Sequence, residues 1–403
     1  MFRARLFQHN RTSVSVRPPP AAACRAAGLA AEGLRAMGSL SAEEQELLLL
    51  LAAMADTAGD EVAATTALVA LAAALEERER DLTRGAIDLD TLSPARCVER
   101  FRVDAAGIRR MAAALRLPET ISEPQRRCVV RRDEAMCILL RRLCYPARWA
   151  DLEAEFGRSS AFLCTVFLHM VELVDERYAA DMRLNPAALA PRLRSYADAI
   201  AAKGAPLDVC FGFVDGTAWQ VCRPSWLQRE VYSGHKRYHC LKFQAVQLPD
   251  GIIADLSGPW AGRRHDQFML VASELEQRLS SAVFDGYVLY GDEGYTYSEH
   301  IAVPFRTAYM TEERRAFNDG MAAVRVSVEW GFMRVKQLFA YLAFVPSQRI
   351  YSSPVAKLYR VAVLLTNMIT CMNGASQASD YFHCAPPSLD DYMAWFPARR
   401  HDA

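Results

Sequence analysis

No charge of one sign predominates in this chain: 47 basic residues face 47 acidic ones over 403 positions. A globally basic nucleic-acid binder is thereby excluded, and any surface for a polyanion has to be local. The eleven cysteines include no Cys-x-x-Cys pair and no regular spacing, which removes a disulfide scaffold and points to reduced thiols. His383-Cys384 has no second ligand cluster nearby, so it reads as two ordinary residues rather than half a zinc site. Long apolar runs are missing too. The stretches at 47–55 and 62–75 fall short of the ~20 residues a spanning helix needs, and no membrane span is expected. Acid is absent before Glu32, while Arg3, Arg5, Arg11, Arg17 and Arg25 precede it; a disordered basic tail is preferred here to an organelle transit peptide of similar composition.

What is present is apolar material, 52% of positions, enough to bury a large core in two or three domains. The patterning divides the chain into a basic tail over 1–40, a helical hairpin over 41–90 opened by the capping box Ser41-Ala-Glu-Glu44, and a helical region over 91–200. An α/β region follows over 205–350, and a terminal helix with its tail occupies 351–403. In the helical region one periodic run starts at Ala95 and places Phe101, Ile108, Met111 and Leu115 on one face before Leu117-Pro118 stops it. A second run begins near Arg132 and ends at Tyr145-Pro146. After Arg148, a short helix, Gly157 and a Ser159 or Ser160 cap compose helix-turn-helix grammar.

Seven arginines fall within 126–148 (Arg126, Arg127, Arg131, Arg132, Arg141, Arg142 and Arg148) against Asp133 and Glu134. Such a stripe, with Arg158 just beyond it, suits phosphate contacts. It equally suits a solvated helical face laced with ion pairs, and the residues alone leave both readings open.

From Asp208 the grammar turns to strands: 209–215, 242–248, a Pro249-Asp250-Gly251 turn, 252–256, and 287–291. A mixed sheet flanked by helices is the natural solution. Asp215 and Asp292 each end an apolar strand, and Glu329 rides a helix expected over 324–344, whose buried stripe is Val324, Val328, Val335, Phe339 and Leu342. Arg325, Glu329 and Lys336 line another stripe. Two strand-end aspartates and a helical glutamate can hold a pair of divalent cations, and all-oxygen donors select Mg²⁺ or Mn²⁺ over zinc. Singly, each acid has a duller account: a turn, a helix cap, or an ion pair of Glu329 with Arg325.

Two competing readings fail by residue. An aspartyl-nucleophile phosphatase needs an acid two positions before the Asp of its Asp-Gly-Thr element, and here that place is Phe213. His265-Asp266 lacks the further histidines that a metal-dependent phosphohydrolase of the His-Asp type requires.

The chain resembles the PIF/Harbinger group of DDE endonucleases. The resemblance is carried by Phe213-Val-Asp-Gly-Thr217, Tyr232-Ser-Gly-His-Lys-Arg-Tyr-His239, Pro259-Trp-Ala-Gly-Arg-Arg-His-Asp266, Leu289-Tyr-Gly-Asp-Glu-Gly-Tyr295, Phe317-Asn318 and Val328-Glu-Trp-Gly-Phe332. Asp215 and Asp292 are 77 residues apart, and Asp292 and Glu329 are 37 apart, spacings of the kind that group shows. The likeness runs from about 208 to 344. It extends more loosely to Leu140-Arg-Arg-Leu-Cys-Tyr-Pro146 and to Val363-Leu-Leu-Thr-Asn367.

The resemblance implies a ribonuclease-H-like fold, a catalytic and metal-binding triad of Asp215, Asp292 and Glu329, and two Mg²⁺ or Mn²⁺ ions bridged by Asp215. It further implies cleavage and joining of DNA at transposon terminal inverted repeats, a nuclear setting, and a separate Myb/SANT-like DNA-binding partner. Homo-oligomerisation is compatible with it. Asp266 is an accessory carboxylate or a helix cap. Lys236, Arg237, Arg264 and Lys336 are candidate phosphate clamps or ordinary surface charges. A domesticated protein that binds DNA or chromatin without cutting is the alternative on the same fold. A purely helical bundle would require the strand assignments after Asp208 to fail.

Overall fold

The computed structural model describes residues 87–123 and 128–397. The chain divides into two units, Met1–Thr83 and Arg84–Ala403, and everything below concerns the second. The expected basic tail, nearly all of the 41–90 hairpin, and Arg126 and Arg127 lie outside the described residues.

The helical region departs from expectation at its start. The single periodic run from Ala95 is two helices, α1 (Pro94–Phe101) and α2 (Ala105–Ala114). Arg102 turns left-handed at φ 69°, and the Asp104 carboxylate accepts the Gly107 amide at 2.7 Å, which starts the chain afresh. A short polar residue that can cap outcompetes continuation of the helix. A small antiparallel hairpin follows, β1 (Thr120–Glu123) with β2 (Cys128–Arg131); its strands are too short to show a period in the sequence. Helices α3 (Arg132–Cys144), α4 (Trp149–Phe156) and α5 (Ser160–Tyr178) come where the pattern puts them. Gly157, at φ 62°, ends α4, the Ser159 hydroxyl caps α5, and the chain bends by 96° between them.

The arginine stripe is mostly consumed within this region. Arg141 makes a two-pronged contact with Glu155 at 2.9 and 3.1 Å, and Arg132 pairs with Glu119 at 2.9 Å. Arg158 grips Glu134 through two hydrogen bonds at 2.9 and 3.1 Å, with both side chains buried. Arg142 is buried as well, lying 4.2 Å from the Trp149 ring centroid and 4.6 Å from that of Tyr341. A phosphate cannot reach a guanidinium enclosed in this way, so Arg142 and Arg158 leave the set of candidate DNA contacts; they hold helices together instead. Arg148 stays exposed and pairs with Asp151 at 2.7 Å, and Arg131 is exposed at the end of β2.

After α6 (Leu193–Ala201) the sheet begins with β3 (Cys210–Gln220). Strands β4 (Tyr232–Ser233), β5 (Tyr238–Gln247), β6 (Ile253–Ala261), β7 (Val288–Tyr290) and β8 (Ile301–Ala302) complete it. The order across the main sheet is β6-β5-β3-β7-β8, with β4 also on β5. β3, β5 and β6 are antiparallel neighbours, whereas β7 and β8 run parallel to β3. A mixed sheet of this kind, covered by helices on both faces, is compatible with the ribonuclease-H-like arrangement. Side chains alternate across it. Phe213, Trp219 and Phe243 face one core, while Phe211, Val214 and Val246 face the other.

Helix α7 (Asp266–Ala272) follows β6 on the second face. On the first face lie α8 (Glu312–Arg325) and α9 (Ser327–Leu338). The expected continuous helix over 324–344 is broken at Val326 and ends as a 3-10 turn over Ala340–Ala343. Its stripe of Val324, Val328, Val335, Phe339 and Leu342 is nonetheless fully buried.

Helix α10 (Val355–Asn373), closed by left-handed Gly374, is the one helix among the described residues long and apolar enough to cross a bilayer. Its apolar window is 78% buried within the protein, as a core helix would be. Asn367 fixes it to the sheet edge. Its side chain accepts the Ile253 amide at 3.1 Å and donates to the Ile253 carbonyl at 2.9 Å, imitating a neighbouring strand. The proline-bearing tail then packs Phe382, Leu389, Tyr392 and Phe396 inward.

Candidate active site

Asp215 does not end its strand, contrary to expectation: β3 continues to Gln220, and Asp215 lies opposite Ala245 of β5. What ends there is its other neighbour. The last parallel rung between β3 and β7 is Phe213 with Tyr290. Asp215 and Asp292 each stand two residues beyond that rung, so both carboxylates emerge at the mouth left where β7 stops, on adjacent strands spaced by ~4.8 Å. Their backbones are tied down. The Gly216 amide donates to Asp215 Oδ1 at 2.8 Å, and the Gly294 amide donates to Asp292 Oδ1 at 2.9 Å.

Asp266 enters from the opposite face as the first residue of α7. A methyl group added at Gly294 would lie 2.9 Å from Asp266 Oδ2 and 3.0 Å from Asp292 Oδ1, so these oxygens face each other across that glycine. One added at Gly216 would lie 2.6 Å from Asp266 Oδ1. Two positions without side chains therefore let three acids approach one another. Lys242 offsets part of the charge, with Nζ 3.8 Å from Asp266 Oδ1.

Burial and crowding leave their mark on titration. Asp215 is pushed up to about 6, by burial first; the Arg325 guanidinium and the Gly216 amide oppose the shift, while Asp292 and Asp266 add to it. Asp266 is raised by burial, with Lys242 opposing and Asp292 adding. The site thus holds negative charge that its own cations do not fully balance.

Tyr295 closes the floor. Its ring packs against Gly291, and its buried hydroxyl has no hydrogen-bond partner. Burial, then the nearby Asp266, Asp215 and Asp292, hold that hydroxyl well above its ordinary value.

Arg325, the last residue of α8, was read from the sequence as a possible partner of Glu329 and takes a different one. Its Nη1 lies 3.4 Å from Asp215 Oδ2, so it serves Asp215 rather than Glu329. No local pattern could reveal a pairing across 110 residues. Glu329 is exposed in the first turn of α9, one turn past Arg325. It makes no ion pair with the described residues. Two contacts set its height over the sheet. Gln247 donates to the Ser327 carbonyl at 3.0 Å, and Gly331 lies so close to the Gln247 amide that any side chain there would collide. Gln247 itself pairs with Phe213, which puts the start of α9 over the same end of β3 that carries Asp215.

The structure accordingly brings Asp215, Asp266 and Asp292 together and leaves Glu329 on the adjoining helix. Among the described residues no three His, Cys, Asp or Glu side chains are gathered tightly enough to cage an ion as they stand.

Residues 214–367 match the DDE superfamily endonuclease family. No curated protein and no solved structure matches the chain. The matched DDE segment contains all four acids, Arg325, Tyr295 and both small glycines, and it ends on Asn367, the residue that docks α10 to the sheet. It supports the DDE superfamily and a nuclease-like or transposase-like activity acting on DNA, a class that generally uses divalent metal.

Of the basic candidates near the DDE segment, Lys236 and Arg237 are exposed in the turn between β4 and β5, Arg237 at φ 59°. Arg264 stacks over Phe268 at 4.2 Å. Lys336 lies 5.2 Å from the Trp219 ring centroid and is lowered by burial and by the nearby Lys236.

Proposed function

We propose that this chain is a metal-dependent DNA endonuclease of the PIF/Harbinger type that cuts and joins phosphodiester bonds at transposon ends. Asp215, Asp292 and Glu329 form the triad in this reading, and Asp266 is the fourth carboxylate. The observation that carries it is the meeting of Asp215, Asp266 and Asp292 at the open end of β7, within the matched segment.

The donor set fits a hard divalent cation. All four candidate ligating groups are carboxylates, and the absence of a side chain at Gly216 and Gly294 lets Asp266 approach the strand aspartates closely. Mg²⁺ or Mn²⁺, two ions in this reading, would supply charge neutralisation and would lower the pKa of an attacking water or 3′-hydroxyl. The protein's own residues do the rest. Asp215 and Asp292 present oxygens held by backbone amides. Asp266 completes the far wall from the start of α7. Glu329, on α9, would add the remaining carboxylate, and Arg325, which lies on Asp215, would compete with a cation for it. Lys236, Arg237, Arg264 and Lys336 supply positive charge for phosphates. A nuclear setting, a Myb/SANT-like partner and self-association complete the proposal.

A second reading, a domesticated DNA- or chromatin-binding protein that no longer cuts, draws support from Arg325 on Asp215 and from the exposed, unpaired position of Glu329. Incubating purified protein with inverted-repeat DNA and Mg²⁺ or Mn²⁺ separates the two. Nicking by wild type and none by Asp215→Ala is expected. Absence of nicking by wild type, or equal nicking by the variant, leaves only the binding role.

A further inference from the structure

The loop that follows β3 carries an exposed aromatic surface that the carboxylate site does not use. Trp226 is 76% exposed, Leu227 66%, and Tyr351 60%. Single exposed apolar side chains are ordinary, but a group of them held together marks an interaction surface. They are not loosely held. Cys222 donates its amide to the Gln348 carbonyl at 2.9 Å, the Tyr351 hydroxyl donates to the Trp226 carbonyl at 3.3 Å, and Leu227 is fixed left-handed at φ 55°. Trp226 and Tyr351 thus form one presented surface drawn from two distant parts of the chain.

Charge complementarity narrows the occupant. No acidic residue occurs between Glu329 and Asp380, a stretch that contains Lys336 and Arg349. Between Val221 and Cys240 there are four Lys or Arg against Glu230 alone, and Glu230 is already paired with Arg263 at 2.7 Å. Aromatic rings set in a basic surface suit the stacked bases and phosphates of an unpaired strand. Position agrees. Asp215, Thr217 and Trp219 alternate onto one face of β3, and Lys336 lies over Trp219. The loop begins after Gln220, five residues from Asp215, which is roughly 17 Å along the strand. Trp226 follows the end of β3 by six residues, on the stretch of chain that leads away from Asp215.

We propose that Trp226 and Tyr351 form a base-stacking platform for unpaired nucleotides of the DNA substrate next to the site of cleavage. The proposal rests on the nuclease reading above and deepens it by naming where frayed or single-stranded DNA is held.

The test measures binding, not cutting. Fluorescently labelled duplex DNA, blunt or carrying a short single-stranded tail, is titrated with the full chain in EDTA and followed by anisotropy. Trp226→Ala is expected to weaken binding of tailed DNA about tenfold, the loss of one stacked base. Trp226→Phe retains most of it, and blunt duplex changes less than about twofold. Tailed DNA bound equally by wild type and Trp226→Ala overturns the platform, as does an equal loss for blunt and tailed DNA, which marks a docking face without stacking. Wild type that binds neither DNA overturns the nuclease reading as well, so the two failures are distinguishable.

Discussion

Asp215→Asn is expected to stabilise the metal-free protein at neutral pH. Asp215 has an ordinary value of 3.8 and is held at about 6 in the fold; its side chain is 17% exposed, so solvent screens it little. A folded value above the unfolded one means that the native state binds the proton more tightly, so stability falls as pH rises from the unfolded value through the folded one. Below both values the penalty is absent, and above about pH 6 it is complete. A shift of this size corresponds to about 3 kcal/mol. The groups facing Asp215 are Arg325 and the Gly216 amide, which favour the charged form, and Asp292 and Asp266, which oppose it. Urea denaturation in EDTA should therefore find the Asn variant more stable by about 3 kcal/mol near pH 7.5, with most of that difference gone near pH 4. Added Mg²⁺ should stabilise wild type and leave the variant unmoved, because ligand binding to the native state raises stability. A difference that does not change with pH, or one that grows toward acid, would refute the argument that Asp215 is a buried, under-compensated charge.

Three further outcomes follow from the same geometry. Glu329→Gln should leave the urea midpoint unchanged, since the side chain is exposed, while Mg²⁺-dependent nicking falls by more than about a hundredfold; retained nicking would remove Glu329 from the triad. Gly331→Ala places a methyl group into the Gln247 amide and should cost about 1–3 kcal/mol in the same denaturation assay, with part of the loss recovered in a Gly331→Ala, Gln247→Ala double variant. Arg158→Ala leaves Glu134 buried without its partner and should cost about 3–5 kcal/mol, whereas Arg148→Ala, at an exposed position, should alter stability by less than about 0.5 kcal/mol.

How much of this was legible beforehand depended on range. The helix ends at Tyr145 and Gly157 were readable because a cap is a local event, set by residues a few positions apart. The buried stripe of Val324, Val328, Val335, Phe339 and Leu342 was readable from its spacing even though the helix breaks beneath it. The break at Arg102 was legible in principle, through the Asp104 cap, and went unread because apolar periodicity runs across it. The arginine stripe shows the opposite limit. Composition counts charges but not their partners, and the carboxylates of Glu134, Glu155 and Glu119 that take up Arg158, Arg141 and Arg132 are supplied by folding.

By itself, the sequence determined an α/β chain with a helical preface, and it marked Asp215, Asp292 and Glu329 as the acids most worth following. Only the tertiary structure decided that β3 runs on past Asp215, that Asp266 rather than Glu329 is the immediate neighbour of the two strand aspartates, and that Arg325 lies on Asp215. The reason is physical. Strand and helix periods are written in neighbours along the chain. A shared carboxylate pocket instead depends on where β7 ends beside β3, and on two glycines small enough to let α7 close in.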